Sequence, residues 1–450
     1  MTSSFEVHAI NDDALGNMSY LVEVGDGTAI SIDPRRDVRE HLDTARERGL
    51  QIAAVFETHL HADFVSGSRE LAADIGTEIY AAADADLTFP HRAVIPGEVF
   101  TLAGVSVEVI PTPGHTPEHV AYLISDGSIR ALFSGGSLIV GGAARTDLTG
   151  TERTDGLSRA QYASLRTLSS LPDETVLYPT HGGGSFCSTG AARSTISTIG
   201  HERAVNPLLA IENEEGFVDR LRQGFGSYPR YFAHLRDINR NGAPLLASLA
   251  PVRELPADEA HHAVAGGAWL IDARPVQDWA RGHAQGSVSI ELRPAFASWL
   301  GWAVPFGEPV VLMLLPEQVR DAVRLARRIG YDAIEGWIRF ESWRDSGLAV
   351  SSLEEIDPAE ASDRADAGVV MLDVRQESEF GTHHISGAAH LELGDIIAGK
   401  TPDANRVITY CGHGERSATA ASFLARRGIG VANLRGGTAA WRDAGYPFEP

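Results

Sequence analysis

The sequence predicts a multidomain chain of α/β and α+β type, and three observations carry that expectation. An apolar run, Ile52-Ala53-Ala54-Val55-Phe56-Glu57, reads as a buried strand that stops at a histidine-bearing loop, Thr58-His59-Leu60-His61-Ala62-Asp63-Phe64. A second run, Val407-Ile408-Thr409-Tyr410, leads directly into Cys411 and a glycine-bearing loop, after which a helix is expected from about Ser417 through Arg427. Between them, one pattern occurs twice. Ile271-Asp272-Ala273-Arg274, Trp279, His283 and Gly286 recur as Leu372-Asp373-Val374-Arg375, Phe380, His384 and Gly387, and Trp343-Arg344-Asp345-Ser346-Gly347 recurs as Trp441-Arg442-Asp443-Ala444-Gly445. The C-terminal part of the chain is therefore read as a duplication.

A length of 450 residues corresponds to about three domains, and the apolar content is ample for separate cores. The expected units are 1–250, 251–351 and 352–450. Pro244 to Pro256 and Ser351 to Pro358 carry the proline and small polar residues of linkers, while roughly 191 to 243 reads as helices completing the first unit. A formal charge of −22 with no basic run excludes a phosphate-binding surface, so nucleic acid is not an expected partner. The stretch Met1-Thr2-Ser3-Ser4-Phe5-Glu6 lacks a basic and apolar leader and no stretch is long enough to cross a bilayer; a cytoplasmic chain with no membrane partner is expected. Two cysteines, Cys187 and Cys411, offer no disulfide framework and point to reduced thiols.

In the first histidine loop, His59 and His61 are spaced to converge on one ion. Pro111-Thr112-Pro113-Gly114-His115-Thr116 is a stiffened strand-end turn that aims His115 inward, and Tyr178-Pro179-Thr180-His181-Gly182-Gly183-Gly184 is a late histidine turn. His8, His91, His119, His201 and His234 lack such a setting and read as solvated or hydrogen-bonded residues.

These segments resemble the metallo-β-lactamase superfamily, whose His-x-His-x-Asp-His signature ends here in Phe64 instead of histidine. The resemblance implies an αββα sandwich over about the first half of the chain. It implies His59, His61 and His115, with Asp63, around one divalent metal, and His181 beside it rather than on it. Leu132-Phe133-Ser134-Gly135-Gly136-Ser137-Leu138 resembles the family's Thr/Ser-Gly-Asp-x-Leu segment, with Gly136 in place of the metal carboxylate. Within the superfamily the chain looks most like the persulfide dioxygenases. Ala144-Arg145-Thr146-Asp147 echoes their Gly-Arg-Thr-Asp segment, which makes Arg145 the expected substrate-orienting cation. Fe(II) is the favoured ion and Zn(II) the alternative. Cys187, in His-Gly-Gly-Gly-Ser-Phe-Cys, resembles the cysteine of dioxygenase–rhodanese fusions that lies near the metal pocket. It reads equally as an acceptor of sulfane sulfur or as a buried spectator thiol.

At the other end, a strand running into Cys411-Gly412-His413-Gly414-Glu415-Arg416-Ser417 builds a loop whose N–H groups and helix N-terminus favour a nucleophilic sulfur, with Arg416 adding charge. Cys-x-x-Gly-x-Arg-Ser resembles the active loop of the rhodanese sulfurtransferases. In the first copy of the duplication, Val310-Val311-Leu312-Met313-Leu314-Leu315 ends in Pro316 and Glu317 with no cysteine. That copy is expected to be catalytically silent, serving as spacer, as docking or homo-oligomer contact, or as a structural remnant.

The favoured function is metal-dependent oxidation of a low-molecular-weight persulfide by O₂ to sulfite, coupled to sulfur transfer with thiosulfate or sulfite at Cys411. Joining both on one chain raises the effective concentration of a reactive intermediate. Two alternatives stay open: a zinc thioester hydrolase of the glyoxalase II type, and a sulfur carrier whose first domain is a non-catalytic binding module.

Overall fold

The computed structural model describes residues 5–189 and 194–450. The first four residues of the N-terminal stretch, and 191–193 of the expected helical segment, lie outside the described residues. The chain divides into two compact units, Met1–Leu249 with Arg327–Gly330 and Ala250–Ala326 with Tyr331–Pro450.

Two six-stranded sheets build the first unit. One runs β1 (Phe5–Asp12), β2 (Asn17–Gly25), β3 (Thr28–Ile32), β4 (Gln51–Phe56), β5 (Glu78–Ala82) and β6 (Arg92–Val94). Its first three strands are antiparallel neighbours and β3 to β6 are parallel. The other runs β7 (Val99–Leu102), β8 (Val105–Pro111), β9 (Val120–Ser125), β10 (Arg130–Gly135), then Val176–Pro179 and Ser197–Thr198. Alternation along β8 buries Val105, Val107 and Val109 and leaves Ser106 and Glu108 outside, the period of a sheet with one face on the core.

Those inner faces meet. Tyr20, Val22, Ile30, Ile32, Phe56 and Tyr80 from the first sheet share a core with Val107, Val109, Tyr122, Ile124 and Phe133 from the second. On the outer face of the first sheet, Leu21, Ala29 and Val55 pack with Val38, Ala45 and Leu71 at the helices Arg39–Arg48 and Ser68–Ile75. On the outer face of the second, Leu123, Leu132 and Leu177 pack with Leu165, Leu168, Phe217 and Leu221 from the helices Thr154–Ser169 and Glu214–Gln223. Helix, sheet, sheet and helix layers follow, the metallo-beta-lactamase fold.

The second unit holds two parallel sheets of one plan. The first runs Val288–Ser289, Trp269–Asp272, Val310–Met313, Ile334–Ile338. The second runs Ala389–His390, Val370–Asp373, Arg406–Tyr410, Gly430–Leu434, Glu354–Ile356. The segment read as a linker at 351–358 thus contributes an edge strand, because Ile356 alternates into the core at 1% exposure. Details repeat as well. Arg274 clamps Asp272 and reaches the Gly282 carbonyl at 2.9 Å; Arg375 clamps Asp373 and reaches that of His383 at 2.7 Å. Trp279 stacks on His283 at 4.0 Å, and Phe380 on His384 at 3.9 Å.

Phe56 ties the inter-sheet core together: fully buried, it meets the rings of Tyr80 at 4.7 Å and Tyr122 at 4.8 Å. Phe56→Ala should cost about 3–5 kcal/mol of the first unit's stability, read from the urea midpoint of its unfolding transition.

Candidate metal centre and cysteine loop

The site lies where strands of both sheets end. β4 delivers Glu57, Thr58, His59 and His61; β8 delivers Thr112 and His115; β10 ends at Gly135, followed by Gly136; Val176–Pro179 delivers Thr180 and His181; β3 delivers Asp33. Asp33 has a left-handed backbone, φ 47°, which an aspartate tolerates better than most side chains. Its carboxylate accepts from the Thr58 N–H at 2.8 Å, the Thr58 hydroxyl at 2.7 Å and the Thr180 hydroxyl. Burial works to raise its pKa, but the His61 charge and these donors outweigh burial and lower it.

Three histidine tautomers follow from their partners. The single hydroxyl proton of Thr58 goes to Asp33, so at 2.8 Å the Nδ1 of His59 must be the donor to Thr58. His115 Nδ1 donates to the Arg145 carbonyl at 2.6 Å. Asn17 gives its amide N–H to Asp63 at 2.7 Å, so its oxygen accepts from His181 Nδ1 at 2.9 Å. Each ring therefore presents a bare Nε2. His59, His115 and His181 bring ligand atoms within 4.8 Å of one another, and the Nε2 of His115 is buried with no hydrogen-bond partner. The Nε2 atoms of His59 and His181 are 3.2 Å apart. Two lone pairs repel at that distance unless a cation lies between them, and imidazoles on one tetrahedral ion, at about 2.0–2.1 Å each, stand roughly 3.3 Å from one another. The residues fit a divalent metal.

His181, expected beside the ion, offers its Nε2 to this set, and His61 brings a ligand atom within 4.8 Å of those of Asp33 and His59 in one grouping and of Asp63 and His181 in another. His61 Nε2 stands 3.3 Å from both Asp33 and Glu57, and its ring stacks on Phe64 at 4.2 Å. Burial opposes its charge, yet Asp33 and Glu57 hold its pKa up to about 10 in the metal-free site. Asp63 keeps one oxygen on Asn17 and the other buried without a hydrogen bond, and burial raises its pKa. A further cavity, about 20 Å³ between Glu57, His59, Ser66 and Asn239, is the size of one water.

Gly136 faces this set: a Cβ there would come 2.5 Å from Cδ2 of His115 and 2.9 Å from Cδ2 of His181. Its N–H donates to His119 Nε2 at 3.0 Å. His119 is buried, bonded to Thr112 at 2.7 Å and stacked on His59 at 4.8 Å, a supporting residue that spacing did not single out. Asp33, Asn17 and Glu57 were also not legible, although Ser31-Ile32-Asp33-Pro34 shows a strand stopping on Asp-Pro.

Arg145 does not present a free guanidinium. It is buried, bound through two nitrogens to Asp147 at 2.7 and 2.8 Å, and lies over the Tyr228 ring at 4.4 Å. Its backbone serves the centre, by fixing the His115 tautomer. Cys187 is wholly buried, and burial, with the Asp63 charge next, pushes its thiol well above the usual range. A neutral thiol is a poor nucleophile.

Cys411 follows Arg406–Tyr410 and precedes the helix Glu415–Ala425. Its sulfur accepts from the Gly414 N–H at 3.1 Å and stands 3.6 Å from the Ser417 hydroxyl. Arg416 is paired with Glu379 at 2.6 and 2.8 Å, so its charge borders the loop already partnered. Gly437, at φ 56°, closes the cradle: a Cβ there would lie 2.1 Å from the Cys411 carbonyl oxygen. In the first copy the ladder pairs Asp272 with Met313 as Asp373 pairs with Tyr410, which puts Leu314 at the cysteine position.

A family model described as a rhodanese-like domain matches residues 357–444, and one described as the metallo-beta-lactamase superfamily matches 12–181. Hydroxyacylglutathione hydrolase from Prochlorococcus marinus (strain MIT 9211) is 34% identical over 186 residues, 39% of this chain and 69% of the relative. Among solved structures, a metallo-beta-lactamase from Staphylococcus aureus subsp. aureus COL aligns with TM-score 0.68 and 28% identity over 75% of this chain and 99% of that one. ETHE1 from Myxococcus xanthus aligns with TM-score 0.46 and 26% identity over 52% of this chain and 98% of that one.

Two outcomes follow from the geometry. Gly136→Ala should weaken metal retention, because its Cβ displaces His115 and His181 without adding a donor; a chelator titration against the unsubstituted protein measures this, and equal loss from both would contradict it. Burial first, then neighbouring charges, hold His115 and His181 near a pKa of about 3 and His59 well below its usual value. The unfolded chain takes up these protons first, so stability of the metal-free protein should fall as pH drops from about 6.5 toward 3. His61 acts oppositely, its contribution being full below about 6.5 and lost as pH rises through about 10. Urea melts across pH would read both limbs.

Proposed function

The chain belongs to the metallo-beta-lactamase superfamily, and on that premise we propose that it oxidises a low-molecular-weight persulfide, of the glutathione persulfide kind, to sulfite and transfers sulfane sulfur at Cys411. The overlap of the ligand sets carries this reading. The buried groupings are His59 with His115 and His181, Asp33 with His59 and His61, and His61 with Asp63 and His181. Any two share a histidine, and one neutral imidazole gives its lone pair to one ion. A two-metal hydrolase needs a second complete set, and Phe64 and Gly136 occupy two of its positions.

His59, His115 and His181 would hold one Fe(II), which supplies redox chemistry toward O₂ and affinity for sulfur. In overall balance, RSSH, O₂ and water give RSH and sulfite with release of protons. Three neutral imidazoles leave the ion's charge uncompensated, which favours an anionic persulfide over a neutral thiol conjugate. Thr58, the Arg145 carbonyl and Asn17 keep the three rings in one tautomer, and Asp33 anchors Thr58 and Thr180.

At Cys411, the sulfur attacks the sulfane sulfur of thiosulfate, the thiosulfate S–S bond breaks and sulfite leaves, so that a cysteine persulfide remains; in reverse, sulfite accepts that sulfur and thiosulfate forms. The Gly414 N–H stabilises charge on Sγ throughout. The Leu314 copy has no thiol for this step and is the silent partner. A second reading, hydrolysis of a glutathione thioester with Zn(II), is favoured by the 34% identity to the hydroxyacylglutathione hydrolase.

Protein purified anaerobically should carry one iron per chain and consume O₂ when given glutathione persulfide; stoichiometric zinc with no oxygen uptake would select the hydrolase reading. Cys411→Ser should abolish thiosulfate-to-cyanide transfer, and persistence of transfer in that variant would move the chemistry elsewhere.

A further inference from the structure

The helix Glu415–Ala425 has two jobs. Its N-terminal turn faces Cys411, and one side of it is held by the copy that has no cysteine. Val288–Ser289 is the edge strand of the first sheet of the second unit, and among the described residues no further strand pairs with its outer side. The Ser289 carbonyl instead accepts from the Thr419 hydroxyl at 2.7 Å, and the Ser289 N–H donates to the Ser422 hydroxyl at 3.0 Å. All three residues are buried. Phe423 meets the Trp269 ring at 6.1 Å and Arg426 lies over it at 4.8 Å. Positions 419, 422, 423 and 426 form one stripe along a helix, and Ala418 beside them packs into a cluster with Val276 and Trp279.

This clasp runs one way. The helix Val319–Arg328, which follows Leu314 in the first copy, reads VRDAVRLARR and has no hydroxyl to offer an edge strand. Among the described residues, the hydroxyls bonded to the neighbouring copy's edge strand lie on the helix beside the thiol. Removing the two hydroxyls would leave a buried N–H and a buried C=O without partners, an expensive state that the helix can relieve only by moving. Such movement carries the Gly414 N–H and the Ser417 hydroxyl away from Sγ.

We propose that the cysteine-free copy is a positioning element for the sulfur-transfer loop, acting through Ser289 on Thr419 and Ser422, which are positioning residues for Cys411. This rests on the reading of Cys411 as the sulfur-accepting thiol. In the full-length protein, Thr419→Val combined with Ser422→Ala should lower kcat for thiosulfate-to-cyanide transfer about tenfold with KM for thiosulfate changed less than twofold. Thr419→Ser should retain at least half of the activity. Hydrogen exchange of the Gly412–Ser417 amides should quicken in the double variant and not in Thr419→Ser. A double variant with kcat within twofold and unchanged loop exchange would overturn the proposal, as would Thr419→Ser behaving like Thr419→Val. If the double variant does not fold, the single variants Thr419→Val and Ser422→Ala are read by the same exchange measurement, and protected loops in both would overturn it. If the unsubstituted protein transfers no sulfur while the loop still loosens on substitution, the transferase reading fails and the clasp stands.

Discussion

The buried Asp33 carboxylate is the interaction on which the first unit's site depends. It joins the ends of β3, β4 and Val176–Pro179 by accepting from Thr58 and Thr180. Through Thr58 it sets the tautomer of His59, and by its charge it raises the pKa of His61 in the metal-free site. One carboxylate therefore bears on both histidines of the first loop. An anion wholly out of water is tolerated only when nearly every acceptor site is used, and here several donors and a cation meet it.

The departures at Phe64 and Gly136 act together with that arrangement. Phe64 offers an apolar ring on which the His61 ring stacks at 4.2 Å, while the Nε2 of His61 stands 3.3 Å from both Asp33 and Glu57. Gly136, having no side chain, leaves the volume that the rings of His115 and His181 occupy. A site with carboxylates replaced by neutral donors binds a cation less firmly and leaves it more electrophilic, a trade of affinity for reactivity.

The second unit holds two parallel sheets of one plan that differ at one position in particular. Both retain the buried Asp–Arg clamp and the aromatic–histidine stack, which are structural. They differ at Leu314 and Cys411. Retention of the frame without the thiol is understandable when the frame has a mechanical use, since the edge strand at Ser289 and the hydroxyls of Thr419 and Ser422 satisfy one another out of water.

Much of this was legible from residue pattern alone. Apolar runs with strand periodicity marked β4 and Arg406–Tyr410, and the recurring Asp-x-Arg and Trp-Arg-Asp segments marked the duplication. The lone thiol of the C-terminal half and the histidine-bearing turns stood out because few residue types can do that chemistry. These are local properties, written in short stretches of chain, and the sequence alone determined them. Ligand selection was not local. The setting of His61 depends on Asp33 and Glu57 and that of His181 on Asn17. Asn17 is 164 residues from His181 along the chain, and Arg145, which looked like a free cation, is taken up by Asp147 and the aromatic wall. Only tertiary structure brings those partners within hydrogen-bond range, and in a low-dielectric interior each partner changes which nitrogen carries a proton, so the site's chemistry was decided by packing rather than by spacing.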